Sequence, residues 1–345
     1  MKFNQFILHF IALMFCAGLP MTPIMAAAVG TAVPGHVAEL RDDASVYITD
    51  LPILNQQSIR WDLLKINAPD AWPMVSGGED VLIAVLDTGI DDTNAALKGK
   101  VVDRVNFTSS GDLDVRGHGT FVAGIIAAGA ENPGSPGLAY KAKLLDVKVA
   151  DDNGNTDARK VAEGIIWAAN RGAQVINISI VIDQKYTPLE FAVDYAWKKG
   201  CVIVAAAGNG ASCSPVYPAA YANVIAVASS DKNDDLAKWS NRGDWVDVDA
   251  PGVDIYSAIP GNKYGTKNGT SFSTALVSGE AALLFNQALD INNDGLLNDE
   301  VSTTILKNCD VTQGLENSCK RIDVYAAAKA ADMIREMLTT LSGEK

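Results

Sequence analysis

Val81-Leu82-Ile83-Ala84-Val85-Leu86-Asp87-Thr88-Gly89 is an unbroken apolar run that ends on a carboxylate and a turn. It is too short for an ordinary helix and shows no polar alternation, so it reads as a strand buried on both faces. Residues 201–207 repeat the pattern, and 143–149 and 174–180 read as two further strands. Between these runs, Val161, Ile165, Ile166 and Ala169 recur at helical spacing. Thr187, Pro188 and Glu190 mark a helix start, read as N-cap, first-turn proline and capping-box acid. Gly200 stops that helix before the next strand. Repeated strand–helix–strand units predict an α/β fold, a three-layer α/β/α arrangement around a mostly parallel central sheet.

The composition narrows the function. The chain has 345 residues, with 41 Asp plus Glu against 28 Lys plus Arg and a net charge of −13. That balance excludes a nucleic-acid binder, which needs clustered cations to neutralise phosphates. At 48% hydrophobic and 20% charged the chain is an ordinary globular one, long enough for a large core. The N-terminus stands apart: Lys2 precedes an apolar stretch over residues 6–19, and Ala26, Ala27 and Ala28 follow. Residues 1–28 read as a secretory signal peptide, which makes the protein secreted or periplasmic, with no stable membrane insertion once the signal is removed. Pro20 and Pro23 argue against an uncleaved anchor helix, and Phe15 before Cys16 against a lipid anchor. Residues 29–57 carry little pattern and read as a short pro-segment or N-terminal arm, leaving residues 58–345 as one domain with C-terminal helices.

Four cysteines remain after the signal: Cys201, Cys213, Cys309 and Cys319. An oxidising compartment favours disulfides, and Cys309 with Cys319 across a short turn is the most natural pair. Cys201 opens an apolar strand and reads equally well as a buried thiol. No spacing resembles a zinc site.

Histidine is the usual general base near neutral pH, and this chain has only 3. His9 lies in the signal and His36 in the arm. His118 sits in Gly117-His118-Gly119-Thr120, directly before an apolar helix over residues 121–128. Asp87 ends a buried strand, where open α/β sheets place their active crevice. Ser271, in Asn268-Gly269-Thr270-Ser271-Phe272-Ser273, precedes a long apolar helix that ends near Leu289. Asn209, in Ala205-Ala206-Ala207-Gly208-Asn209-Gly210, follows another buried strand and can donate to a developing oxyanion. Each has a plain structural reading as a cap or turn residue; the four together do not.

In chain order these blocks resemble the subtilisin-like serine proteases, or subtilases, from about residue 61 to about residue 327. The order Asp, His, Ser belongs to that family and is carried over from it. The resemblance implies a serine endopeptidase acting on protein or peptide substrates, as a monomer, with no cofactor for its chemistry. Ser271 is then the nucleophile, His118 the general base and Asp87 its orienting acid. Asn209 and the amide of Ser271 form the oxyanion hole. The chain also departs from the family. Ala275 replaces the usual proline after the serine, and Phe121 a second histidine. Ile180-Val181 replaces leucine–glycine in the substrate-binding strand, which narrows the cleft. Ala96 stands where a calcium ligand is common, and the arm is too short for the usual folded pro-domain. Two alternatives on the same fold are a transpeptidase or peptide cyclase and a non-proteolytic binding pseudoprotease.

One insertion carries its own reading. Asp290, Asn292, Asp294, Gly295 and Asn298 fit positions 1, 3, 5, 6 and 9 of a calcium loop. Position 12 is Val301 instead of an acid, with Glu300 one place early, so a structural Ca2+ here is expected to bind weakly. A polar interhelical turn is the plain alternative.

Overall fold

The computed structural model describes residues 37–39, 59–130, 135–310 and 320–342. The chain divides after Gly35, and all described residues belong to the second unit. The signal assignment therefore lies outside the described residues, and of the arm only Val37–Glu39 is described, as strand β1.

Two short helices follow, α1 (Trp61–Lys65) and α2 (Ala68–Ala71), then strand β2 (Leu82–Asp87), which is the opening run of the sequence analysis. After a 3-10 turn come β3 (Val101–Asn106), α3 (His118–Ala127), β4 (Lys143–Lys148), β5 (Asn155–Asp157), α4 (Ala158–Asn170) and β6 (Val175–Ile178). The chain continues through α5 (Thr187–Lys198), β7 (Val202–Ala206), β8 (Val224–Ser230), β9 (Val248–Pro251), β10 (Ile255–Ile259) and β11 (Lys263–Lys267). It closes with α6 (Thr270–Phe285), α7 (Asn298–Lys307), β12 (Cys309–Asp310), β13 (Lys320–Ile322) and α8 (Val324–Ser342).

The predicted sheet is present: among the described residues it has nine strands in the order β12-β13-β9-β8-β7-β6-β2-β4-β3. Every neighbouring pair is parallel except the terminal β12–β13. The continuous apolar runs are explained by two separate cores, because alternate residues of one strand face opposite layers. Ile83 and Val85 join the core formed with α3 and α6, whereas Ala84 and Leu86 join the core formed with α4 and α5. Helix α6 is buried over its whole length, Glu280 included, which accounts for its mostly apolar and small composition. Among the described residues outside the sheet, β10 and β11 form an antiparallel hairpin and β1 pairs antiparallel with the sequence-distant β5.

Some local expectations shift. The helix at residue 187 begins on Thr187 itself, with Tyr186 at the cap position and no side-chain cap. Its entry is held instead by the Tyr221 hydroxyl, which bonds both backbone groups of Tyr186 at 3.0 Å, while Glu190 pairs with Lys185 at 2.8 Å. The helix carrying Ser271 ends at Phe285, short of Leu289, where the polar loop begins. Cys201 is a buried thiol whose Sγ donates to the Ala173 carbonyl at 3.0 Å, and burial pushes that thiol up to about 12. Cys309 is described and half-buried; its expected partner Cys319 lies outside the described residues. Among the described residues no helix is long and apolar enough to cross a membrane.

Candidate active site

Asp87 is the last residue of β2 and His118 the first of α3, and both are fully buried. The imidazole Nδ1 stands 2.7 Å from Asp87 Oδ1 and 2.9 Å from Oδ2. An ionised carboxylate only accepts, so this contact places the proton on Nδ1 and leaves Nε2 as the basic nitrogen. The approach depends on Gly119: a Cβ there would stand 2.2 Å from the Gly89 carbonyl and 3.0 Å from Asp87 Cβ. Asp87 is itself anchored, since Oδ1 also accepts the Thr88 amide at 2.7 Å and its backbone carbonyl accepts the amides of Val149 and Ala150.

Ser271 lies in the first turn of α6. The Phe272 ring lies 5.7 Å from the His118 ring and 4.6 Å from that of Phe121, so Phe121 serves as packing at its position. Ser271 is tied to the segment after β6 on both sides of its peptide. Its Oγ donates to the Ser179 carbonyl at 3.4 Å, and Ser179 Oγ donates to the Ser271 carbonyl at 3.1 Å. Ser179 is held in turn by Asn177, and Asn177 by Ser278 of α6.

Asn209 follows β7 across Gly208. Its Oδ1 accepts the Thr270 amide at 3.0 Å and the Thr270 hydroxyl at 2.9 Å. The oxygen edge of the amide is thus committed to the residue before Ser271. The loop that carries it is pinned by Asn241, which donates to the Ala207 carbonyl and accepts from Gly210 and Ser212. Val181 is half-buried, with Cγ2 3.3 Å from where a Cβ on Gly208 would stand, so its bulk lies against the Asn209 turn.

The four candidate residues read from the sequence sit at or just after the carboxyl ends of β2 and β7 and at the starts of α3 and α6, linked pairwise as Asp87 to His118 and Asn209 to the residue before Ser271. The sequence reading missed Thr88, Asp114, Ser179, Asn241 and Thr270, which hold them in place. Only Thr88 and Thr270 had a local signal, each lying next to a candidate residue, Asp87 and Ser271.

The loop at Asp290 brings three of its four candidate ligands together. Asp290 accepts the amides of Asp294 and Gly295, and Asn292 Oδ1 accepts the Asp294 amide. Asn292 also donates to Asp294 and Asp299. Asn298 turns away and donates to the Trp197 carbonyl at 3.1 Å, and Val301 is core. Glu300 caps Ile291 and Asn292 from the other side. Among the described residues no group of three or more His, Cys, Asp or Glu is arranged to hold a metal ion.

Residues 78–324 match the model of the subtilase family. The chain is 44% identical over 262 residues to the thermophilic serine proteinase of Bacillus sp. (strain AK1), covering 74% of this chain and 64% of that protein. It is 44% identical over 232 residues to thermitase of Thermoactinomyces vulgaris, covering 66% of this chain and 83% of thermitase. Subtilisin Savinase of Lederbergia lenta is 40% identical over 231 residues, covering 66% of this chain and 84% of that protein. The chain thus spans just under two thirds of the first relative and more than four fifths of the other two.

Proposed function

The chain belongs to the subtilase family of serine-type endopeptidases, and on that premise we propose that it cleaves peptide bonds through an acyl-enzyme on Ser271. The observation that carries this reading is the buried Asp87–His118 contact, with the ring of Phe272, the residue after Ser271, 5.7 Å from the imidazole. Nε2 of His118 takes the Ser271 hydroxyl proton as Oγ attacks the scissile carbonyl. The long Oγ contact to Ser179 is weak enough to be given up for that transfer. Asp87 stabilises the imidazolium, which then gives its proton to the leaving amine. The carbonyl oxygen, now an oxyanion, is met by the Asn209 amide and the backbone amide of Ser271. That amide lies in the first turn of α6, where helical N–H groups have no partner within the helix. Water repeats the sequence on the acyl-enzyme. No cofactor enters any step.

The test is labelling by a serine-directed phosphonate together with hydrolysis of an unfolded protein. Both are expected in the wild type and absent in Ser271→Ala; undiminished proteolysis by Ser271→Ala overturns the assignment. Nothing observed favours the transpeptidase or the binding-only alternative.

We further propose that the protein is exported on residues 1–28 and that residues 29–57 are a pro-segment or arm. Supporting the second reading, β1 pairs with β5, Val37 opposite Asp157 and Glu39 opposite Asn155. The turn before β5 packs on Arg116, two residues ahead of His118, through a 2.7 Å bond from Arg116 Nη1 to the Asn153 carbonyl. Mass spectrometry of the exported protein reads the mature N-terminus: a start near residue 29 supports export, one near residue 58 supports a removed pro-segment, and an intact Met1 refutes both. The calcium loop and the monomeric state belong to the same reading, with tests given below for the first and light scattering for the second.

A further inference from the structure

We propose that Asp114 is a positioning residue of the catalytic pair, registering the helix that starts on His118 against the strand that ends on Asp87. The inference rests on the triad assignment above, and its test separates the two.

Asp114 is 3% exposed, and its carboxylate accepts four hydrogen bonds. Oδ1 takes the Thr88 hydroxyl at 2.8 Å and the Gly117 amide at 2.7 Å. Oδ2 takes the Thr120 amide at 2.9 Å and the Thr120 hydroxyl at 2.6 Å. Helix α3 has no side-chain cap of its own: its N-cap is Gly117, at φ 79°, a conformation glycine adopts without a Cβ penalty. The donors a cap would satisfy are taken from outside the helix, the Thr120 amide by Asp114 and the Gly119 amide by Thr88 Oγ1 at 3.1 Å.

Thr88 is the link. Its amide and its hydroxyl both reach Asp87 Oδ1, at 2.7 and 3.2 Å, while the hydroxyl is also 2.8 Å from Asp114. A hydroxyl has one proton, so these two acceptors compete for it, and the buried Asp114 at the shorter distance is the better placed. Lys148 holds the same turn through the Thr88 carbonyl at 2.6 Å and the Leu113 carbonyl at 3.3 Å. Asp114 therefore sits at the one point where the Asp87 turn, the His118 helix start and the intervening loop meet. Its charge also opposes the positive end of α3, on which the imidazolium must form.

Four acceptor positions facing four donors cannot be reproduced by an amide, because asparagine turns one edge into a donor. Asp114→Asn is expected to lower kcat about tenfold or more while KM stays within about twofold, since the ground-state contacts to peptide are untouched and the Asp87–His118 alignment is not. Loss of a negative charge and a looser Asp87 contact both disfavour the imidazolium, so the acid limb of the kcat/KM profile moves to lower pH. The charged groups around Asp114 and the start of the His118 helix are Asp87, which shares the Thr88 hydroxyl, Asp146 and Lys148 on β4, and Lys267 on β11, whose Nζ reaches the Gly117 carbonyl at 3.5 Å. Asp146 titrates in the same range, with its carboxyl pushed up to about 7 mainly by burial. The profile is therefore repeated on an Asp146→Asn background, where the shift is expected to persist.

A merely structural role predicts a lower melting temperature with kcat and the acid limb unchanged in the folded protein, and that result overturns the proposal. If Asp114→Asn fails to fold, Thr88→Val gives the same reading through the linking hydroxyl. It is expected to lower kcat and move the acid limb likewise, and a folded Thr88→Val with wild-type values for both overturns the proposal. Where both fold, the double variant should lose less than the product of the two single losses; strict additivity overturns action through Thr88. Phosphonate labelling of the wild type at Ser271 is the control: its absence sinks the triad assignment, whereas labelling with an unaltered Asp114→Asn sinks only this inference.

Discussion

Asp146 gives the sharpest quantitative test of how the sheet interior is held. It lies on β4, opposite Val85 of the strand that ends on Asp87, and its side chain is 2% exposed. Oδ2 is 4.0 Å from Arg104 Nε, while Oδ1 has no hydrogen-bond partner. Burial pushes the carboxyl from 3.8 up to about 7, and Arg104 and the Ile90 amide offset only part of that. A raised carboxyl keeps its proton in the folded state after the unfolded chain has lost it. Stability from this group is therefore full below the unfolded value, falls as pH rises through the window from 3.8 to about 7, and is level above it. About 3 pH units at 1.36 kcal/mol each set a ceiling of roughly 4 kcal/mol. Asp146→Asn removes the titration but introduces an amide with its own fixed, pH-independent cost. The slope, not the offset, is the readout. Urea unfolding of the Ser271→Ala protein, which cannot digest itself, is measured with and without Asp146→Asn from about pH 4 to about pH 8. The stability difference is expected to move by about 3–4 kcal/mol in favour of asparagine across that range. A difference constant within about 0.5 kcal/mol would mean that Asp146 is ionised throughout and that Arg104 compensates its burial.

Three further outcomes follow from the site. Val181→Gly removes the side chain packed against the Gly208 turn, so it should raise kcat/KM for peptides with bulky residues before the scissile bond relative to glycine or alanine. An unchanged ratio in a peptide-library digest places Val181 outside the substrate path. If the Asp290 loop holds calcium, EGTA lowers the melting temperature, and Asp290→Ala with Asp294→Ala abolishes that response. With no acid at position 12 the gain should stay near about 1.4 kcal/mol, the value at roughly tenfold excess over Kd. A wild type indifferent to EGTA makes the loop a turn. Ala275→Pro removes the amide four residues after Ser271, but the Ser271 carbonyl keeps its bond from Ser179 Oγ. The variant should therefore fold and should raise amide hydrolysis relative to activated-ester hydrolysis; an unchanged ratio makes Ala275 neutral.

What the sequence disclosed and what it hid differ by the range of the interaction involved. The strands were legible because a strand buried on both faces needs apolar residues at every position, and that requirement is local. Asp87, His118, Ser271 and Asn209 were legible because each occupies a strand end or a helix start, which the same local pattern marks. Asp114 was not, because nothing within its own segment distinguishes it from Asp112, which pairs with Asn106 at 3.0 Å in the exposed turn. Its role comes from Thr88, 26 positions away, and from a helix whose cap residue has no side chain. Asn241 is hidden in the same way: it bonds the Ala207 carbonyl 34 positions back.

A common device connects these hidden residues. Both helices that carry the proposed catalytic groups begin on glycine caps, Gly117 and Gly269, and neither cap supplies a side-chain bond. The unpaired N–H groups at those starts are satisfied from other segments, by Thr88 and Asp114 for α3 and by Asn209 for α6. A serine or aspartate cap would satisfy the helix locally and leave its position relative to the neighbouring strand to packing alone. Assigning the capping bonds to residues on other segments makes each helix start complete only when the catalytic elements are in register. The stabilisation that an ordinary cap gives one helix, about 1 kcal/mol, is here spread over the geometry of the site.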